Sequence, residues 1–267
     1  MVKRALVAAA LGVLGAGGIM IGAGRMHGVN HPSRQETAMD SRSALAQGAA
    51  KRVFGSASSA RVTATRSSED FGANVVTVDT SKGSLDLLDT DGQVTFISFR
   101  DVDLTSQALT VSVDEAAASA QQVVNRIYPW ASHFPVTGGR EPHGSYFSYA
   151  FKWRSVVNGV TLPSWVNATV TSSGVVQNLA ANYFPIAAVP QSHMSQDQAL
   201  AIALRTLGGK TTLQKAMLQM GMAQGSMRLM WYMELSTDPS PNAAGLYELP
   251  GRLILIDAVT GVVLHAQ

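Results

Sequence analysis

The sequence predicts an α+β protein made of tandem units, each a helix packed on a small antiparallel β-sheet. Three observations carry that expectation. VTLPSWVNATVTSSGVVQ and YELPGRLILIDAVTGVVLHA both place Leu-Pro ahead of strand-like residues and then reach Gly-Val-Val; Pro163 stands as far before Gly174 as Pro250 does before Gly261. Upstream of each run lies a Ser-x-x-Glu/Gln box, Ser112-Val113-Asp114-Glu115 in one case and Ser195-Gln196-Asp197-Gln198 in the other. Between box and Leu-Pro each copy has an aromatic segment with the period of a strand. A helix followed by antiparallel strands, repeated, is a layered α+β arrangement.

At the N-terminus, Lys3 and Arg4 precede an uncharged stretch from Ala5 to Gly24, rich in Ala, Leu, Val, Ile and Gly. A helix of that length matches a hydrocarbon core of about 30 Å. A basic start before an apolar run is equally the form of a secretory signal, and Gly22-Ala23-Gly24 ends it in small residues. Residues 1–24 are read as a signal peptide or a transmembrane anchor. In both cases the basic end stays in the cytoplasm and the remainder is exported. Residues 25–41 are polar and aperiodic and are read as a tether.

Residues 42–100 are expected to form a degenerate first unit. Residues 44–54 read as a short helix and residues 74–79, 85–89 and 94–99 as strands; Thr90-Asp91-Gly92 matches the glycine turns further on, but no capping box is read. Residues 110–184 form the second unit. The Ser112 hydroxyl and the Glu115 side chain can cap each other's backbone N–H groups, and Asp114 suits the positive end of the helix dipole. Tyr128-Pro129 stops that helix after Ile127. Phe147, Tyr149, Phe151 and Trp153 then alternate as one face of a strand. Asn158-Gly159 predicts a tight hairpin turn, and Gly174 a turn with positive φ. Residues 194–267 repeat the order: a box at Ser195 and Gln198, a helix to Leu207 ended by Gly208-Gly209, an aromatic strand at Met230-Trp231-Tyr232-Met233, a loop over 237–245, a Leu-Pro strand, and a turn at Val259-Thr260-Gly261.

A capped helix, an aromatic strand and a strand ending in Ile256-Asp257-x-x-Thr260-Gly261-x-Val263 resemble the PepSY domain. Phe151-Lys152-Trp153-Arg154, Val157-Asn158-Gly159-Val160 and Ser173-Gly174-Val175 resemble the related YcdB/YcdC-type repeat, and the propeptides of thermolysin-like metallopeptidases carry a similar pattern. The resemblance covers residues 110–267 well and 42–100 poorly. It implies a non-catalytic extracytoplasmic module, often membrane-tethered, associated with restraint of peptidases or with envelope processes. The middle unit has Thr171 where the last has Asp257, so that acid is not essential to the shared pattern.

Composition narrows the chemistry. The chain of 267 residues has a formal net charge of only +2 and no basic cluster longer than Lys51-Arg52, which argues against nucleic acid as a partner. It has no cysteine, which excludes disulfides, thiolate metal sites and a cysteine nucleophile. The six histidines are His27, His31, His133, His143, His193 and His265, and none forms a zinc-hydrolase motif. His133 and His143 flank a Gly-rich stretch read as a loop. There is no G-x-S-x-G elbow. Gly208-Gly209-Lys210-Thr211 resembles the tail of a phosphate loop but ends a helix, so it reads as a C-cap. Asp101 and Asp103 read as solvated surface. No catalytic, cofactor-binding or metal-binding residue is therefore assigned.

Met217, Met220, Met222, Met227, Met230 and Met233 cluster in the last unit. Leu213, Met217 and Met220 fit one stripe of an amphipathic helix. Thioethers fill cores, line adaptable peptide grooves or bind Cu(I); without interleaved His or Cys, core filling comes first and a groove comes ahead of copper. The leading functional expectation is an extracytoplasmic binding or regulatory module of the cell envelope, secreted or anchored in the membrane by its N-terminal segment. Its partner is a protein or peptide, an exported peptidase among the candidates, and it needs no cofactor. The alternative is a purely structural envelope or spore-associated protein; an enzyme comes third.

Overall fold

The computed structural model describes residues 33–55, 60–68, 71–100, 102, 110–208, 211–237, 240–241, 247–248 and 251–267. Residues 1–24, Asp101, Asp103 and Leu249-Pro250, on which expectations were placed, lie outside the described residues. Among the described residues, no helix is long and apolar enough to cross a membrane.

Helix α1 (Ser33–Phe54) leads into β1 (Arg61–Ser68), β2 (Ala73–Thr80), β3 (Gly83–Leu88) and β4 (Val94–Phe99). Helix α2 (Val113–Ile127) and a short 3-10 turn lead into β5 (Val136–His143), β6 (Tyr146–Val157), β7 (Val160–Thr171) and β8 (Val176–Asn182). Helix α3 (Gln196–Leu207) leads into β9 (Thr211–Ala223), β10 (Ser226–Thr237), the two-residue β11 (Ser240–Pro241) and β12 (Tyr247–Glu248), β13 (Gly251–Asp257) and β14 (Val263–Ala266).

The expectation of an α+β chain of separate small sheets is overturned. Among the described residues the protein is mostly β, and all strands except β11 and β12 join in one twelve-stranded sheet. Two junctions make it continuous. β4 pairs with β8 through Phe96↔Ala180, Ile97↔Leu179 and Ser98↔Asn178. β7 meets β9 in parallel at Thr161↔Gln219. The physical reason is the edge: a free meander ends in strands with unpaired N–H and C=O groups, and joining the meanders satisfies part of them.

Register sorts the side chains into two faces. Val78, Leu85, Ile97, Leu179, Ala168 and Phe151 are successive cross-strand partners from β2 to β6, and all are buried in one core with α1 and α2. The adjacent row, Asp86, Phe96, Ala180, Asn167 and Lys152, faces the other way and is far more polar. Helix α3 covers the corresponding face of β10 and β13 through Ala199 and Ala203 against Met233, Leu235, Ile254 and Ile256. Helix α2 buries Ala116, Ala120, Val124 and Ile127, one stripe of an amphipathic helix.

The capping boxes form at both predicted places. The Ser112 hydroxyl accepts from the Glu115 N–H at 3.2 Å, while the Glu115 carboxylate accepts from the Ser112 N–H at 2.8 Å. The Ser112 N–H and hydroxyl hold the Glu115 carboxyl below its ordinary range. Ser195 and Gln198 repeat the pair on α3. The stretch expected as a tether, residues 25–41, is corrected in its second half: α1 is helical from Ser33. A signal for that start was present, because Ser33-Arg34-Gln35-Glu36 has the spacing of a capping box.

Besides β9 and the two-residue β11, two longer strands were not anticipated. β1 is polar and exposed along most of its length. β5 contains Gly138-Gly139 and Pro142, which disguised it as a loop. Among the described residues it pairs only with β6, and a strand with one free side tolerates proline.

The turn glycines follow one design. Gly92, Gly174 and Gly261 have φ of 69°, 84° and 76°. A Cβ on each would meet an apolar side chain from its own helical segment: Leu45, Val111 and Met194 respectively. At Gly261 the distance to Met194 Cε would be 2.8 Å. Gly261→Val is expected to lower stability by about 1–2 kcal/mol from backbone strain alone, with the Met194 clash in addition. Thermal unfolding checks this; an unchanged melting temperature would mean that the turn does not need its glycine.

Candidate binding cleft

On the helix-free face, a cleft of about 830 Å³ opens at the β7–β9 seam. Lys152 and Arg154 reach it from β6, Trp165 from β7, Lys215 and Met217 from β9, and Tyr232 from β10. Strand alternation puts them there. In β6, Phe147, Tyr149, Phe151 and Trp153 are buried, so Lys152 and Arg154 take the opposite face. In β7, Val166, Ala168 and Val170 are buried, so Trp165 also looks away from the helices.

The cations lie beside aromatic rings. Arg154 and Trp165 are register partners, with the guanidinium carbon 5.4 Å from the indole centroid. Lys215 Nζ lies 5.6 Å from the Tyr232 ring centroid and 3.9 Å from Glu234 Oε1. The Tyr232 hydroxyl donates to that same Glu234 oxygen at 2.5 Å. Burial, reinforced by the Glu234 hydrogen bond and charge, pushes the Tyr232 phenol up to about 12. Burial also pulls the Arg154 guanidinium below its ordinary value. Among the described residues, the side chains of Lys152 and Arg154 have no ion pair or hydrogen bond. Glu234 is already engaged, which leaves the cleft with an excess of positive charge.

The cleft is bordered by an unusual strand edge. β9 pairs with β10 from Thr211↔Thr237 to Ala223↔Ser226. Its other side pairs with β7 only at Thr161↔Gln219. Residues 211–218 thus present main-chain groups with no strand partner among the described residues.

The methionines are redistributed relative to expectation. The proposed amphipathic helix over Leu213, Met217 and Met220 is instead β9. Gln224-Gly225, both with positive φ at 51° and 75°, turns β9 into β10 as a hairpin. Residues three apart share a helical face but lie on opposite faces of a strand. Accordingly Met230 and Met233 are buried away from the cleft, whereas Met217 lines it, together with the largely buried Met220 and with Met222 and Met227 where the cleft runs along the seam.

The remaining candidates are scattered. His133 and His143 do not meet: β5 runs between them, a separation of about 3.3 Å per residue along the strand. His143 Nε2 lies 2.8 Å from Ser148 Oγ and its ring stacks on Tyr146, while His133 packs edge-on to Phe134. Gly208 caps α3, with its N–H donating to Leu204 O, and the chain resumes as β9; this is helix then strand, the reverse of a phosphate loop. Among the described residues, no group of three His, Cys, Asp or Glu side chains is placed to hold a metal. Lys152, Arg154, Trp165, Lys215 and Tyr232 were not singled out as a site. The aromatic alternation of β6 already implied which way Lys152 and Arg154 point, but nothing in the sequence brought β9 beside β7.

No model of a known protein family matches the chain, and no curated protein matches it. The fold and the cleft define the class in structural terms: among the described residues, three α-helices on one face of a twelve-stranded sheet, and a cationic, aromatic cleft on the other.

Proposed function

We propose that the protein is a non-catalytic binding module of the PepSY/YcdB type, acting outside the cytoplasm at the cell envelope. It holds a protein partner in the β7–β9 cleft, and an exported peptidase is the candidate its motifs favour. The observation that carries this reading is the cleft itself, where cations, aromatic rings and Met217 stand on a sheet face that, among the described residues, no helix covers. Apolar and aromatic walls with a few placed polar groups are the usual make-up of a binding surface. Basic Lys3-Arg4 ahead of an uncharged run supports export.

The test is site-specific photo-crosslinking in cells. With the crosslinker at Met217, the full-length protein is expected to give a discrete adduct. With the crosslinker at Leu204, exposed on α3, it is expected to give none. Identical adduct patterns from both positions, or none from Met217, would favour the purely structural alternative.

A further inference from the structure

We propose that the cleft takes an extended acidic segment of a protein partner, which adds as a strand to the free edge of β9 and sets a carboxylate against Arg154. The proposal rests on the binding reading above and names its occupant.

Three observations converge. The first is the edge. Strand β9 is hydrogen-bonded to β10 along its length but to β7 at one position only, so residues 211–218 offer a row of main-chain donors and acceptors. An extended peptide satisfies such a row without requiring any particular side chain. The second is charge. Arg154 is half-buried against Trp165, yet among the described residues its guanidinium has no carboxylate and no hydrogen bond. A guanidinium removed from water without a partner is costly, and a carboxylate supplies a planar, bidentate one. Lys152 and Lys215 add positive charge to the same cleft. The third is periodicity. Lys215 and Met217 sit two apart on β9 and both line the cleft, so its open side accepts every second side chain of an added strand. The other side chains of that strand would continue the apolar face carrying Leu213 and Leu218, which pack in the cores beneath. The fitting sequence therefore alternates acidic and apolar residues.

Nucleic acid satisfies these observations less well. Its phosphates would gain from the cations, but it has no main-chain row to pair with β9.

The experiment uses the full-length protein in neutral detergent and a fluorescent hexapeptide probe that alternates Leu and Asp, read by anisotropy. Two comparison peptides replace every Asp by Asn or methylate alternate backbone nitrogens. The Leu-Asp peptide is expected to bind, and more weakly as salt rises. The Asn version should lose about tenfold or more in affinity, and the N-methylated version should not bind. Arg154→Gln should remove most of the preference for Asp over Asn. Lys51→Gln, on α1, should leave it intact and so report general charge effects. Circular dichroism establishes that both variants are folded. Equal binding of the Asp and Asn peptides, an unchanged preference in Arg154→Gln, or tight binding of the N-methylated peptide would each overturn the proposal. So would failure of all three peptides to bind. Because the crosslinking at Met217 uses the native partner, it can succeed while the peptides fail, which separates an error about the occupant from an error about the site.

Discussion

Trp153→Ala is expected to be the most destabilising single truncation in the core that the sheet shares with α1 and α2, by about 3–5 kcal/mol. Trp153 is fully buried in β6, at the end of the ladder Phe147, Tyr149, Phe151 and Trp153. Its indole N–H donates to Gln121 Oε1 on α2 at 2.7 Å, so one side chain both fills the core and ties sheet to helix. Truncation opens a large cavity in a close-packed interior and leaves the Gln121 carbonyl without that donor. Trp153→Phe keeps most of the apolar contact and loses the N–H, with an expected cost of about 1–2 kcal/mol. Urea unfolding of the three proteins separates packing from hydrogen bonding. Equal losses for Ala and Phe would mean that the Gln121 bond, rather than the buried ring, dominates.

Asp257 is expected to make stability sensitive to acid. Its carboxylate is almost fully buried at the end of β13. It accepts from the N–H groups of Val259 and Thr260 at 3.0 and 2.8 Å, and from Arg228 Nη1 at 2.8 Å. Burial alone would raise the carboxyl pKa. The Thr260 N–H, the Arg228 guanidinium and the Val259 N–H outweigh it and bring the value to about 2. A folded pKa below the unfolded one means that the stabilisation is present above about pH 4 and is lost as pH falls toward 2. Its size is roughly 2–3 kcal/mol. Asp257→Asn should therefore unfold at lower urea than the parent at pH 7, and the difference should shrink steadily between pH 4 and pH 2. A gap that stays constant over that range would show that shape, not charge, holds the turn. In the second unit the same place is served by a neutral group: Thr171 Oγ1 accepts from the Val175 N–H at 3.0 Å. The acid strengthens a turn that the backbone makes without it.

Local features were readable wherever a residue's own chemistry decides the backbone. The two capping boxes, the alternating aromatic face of β6, the Asn158-Gly159 hairpin and the positive φ at Gly174 and Gly261 all occur where the sequence placed them. Local reading failed where two periodicities compete. Leu213, Met217 and Met220 satisfy a helical stripe, yet the Gln224-Gly225 turn and pairing with β10 make the segment a strand. Gly138, Gly139 and Pro142 look like loop residues, yet β6 gives them a ladder to join.

By itself, then, the sequence determined the two capped helices, the aromatic and Leu-Pro strands that follow them and the glycine turns, because caps, alternation and turn residues act over a few neighbours; it missed β1 and β5 and misread β9. It determined too that Lys152 and Arg154 oppose the buried rings of β6. Only the tertiary structure decided that the meanders fuse through β4–β8 and β7–β9, because pairing between distant edges depends on main-chain groups that every residue carries alike. That fusion places Arg154 and Trp165 across a cleft from Lys215 and Tyr232, and leaves residues 211–218 of β9 without a second strand partner among the described residues.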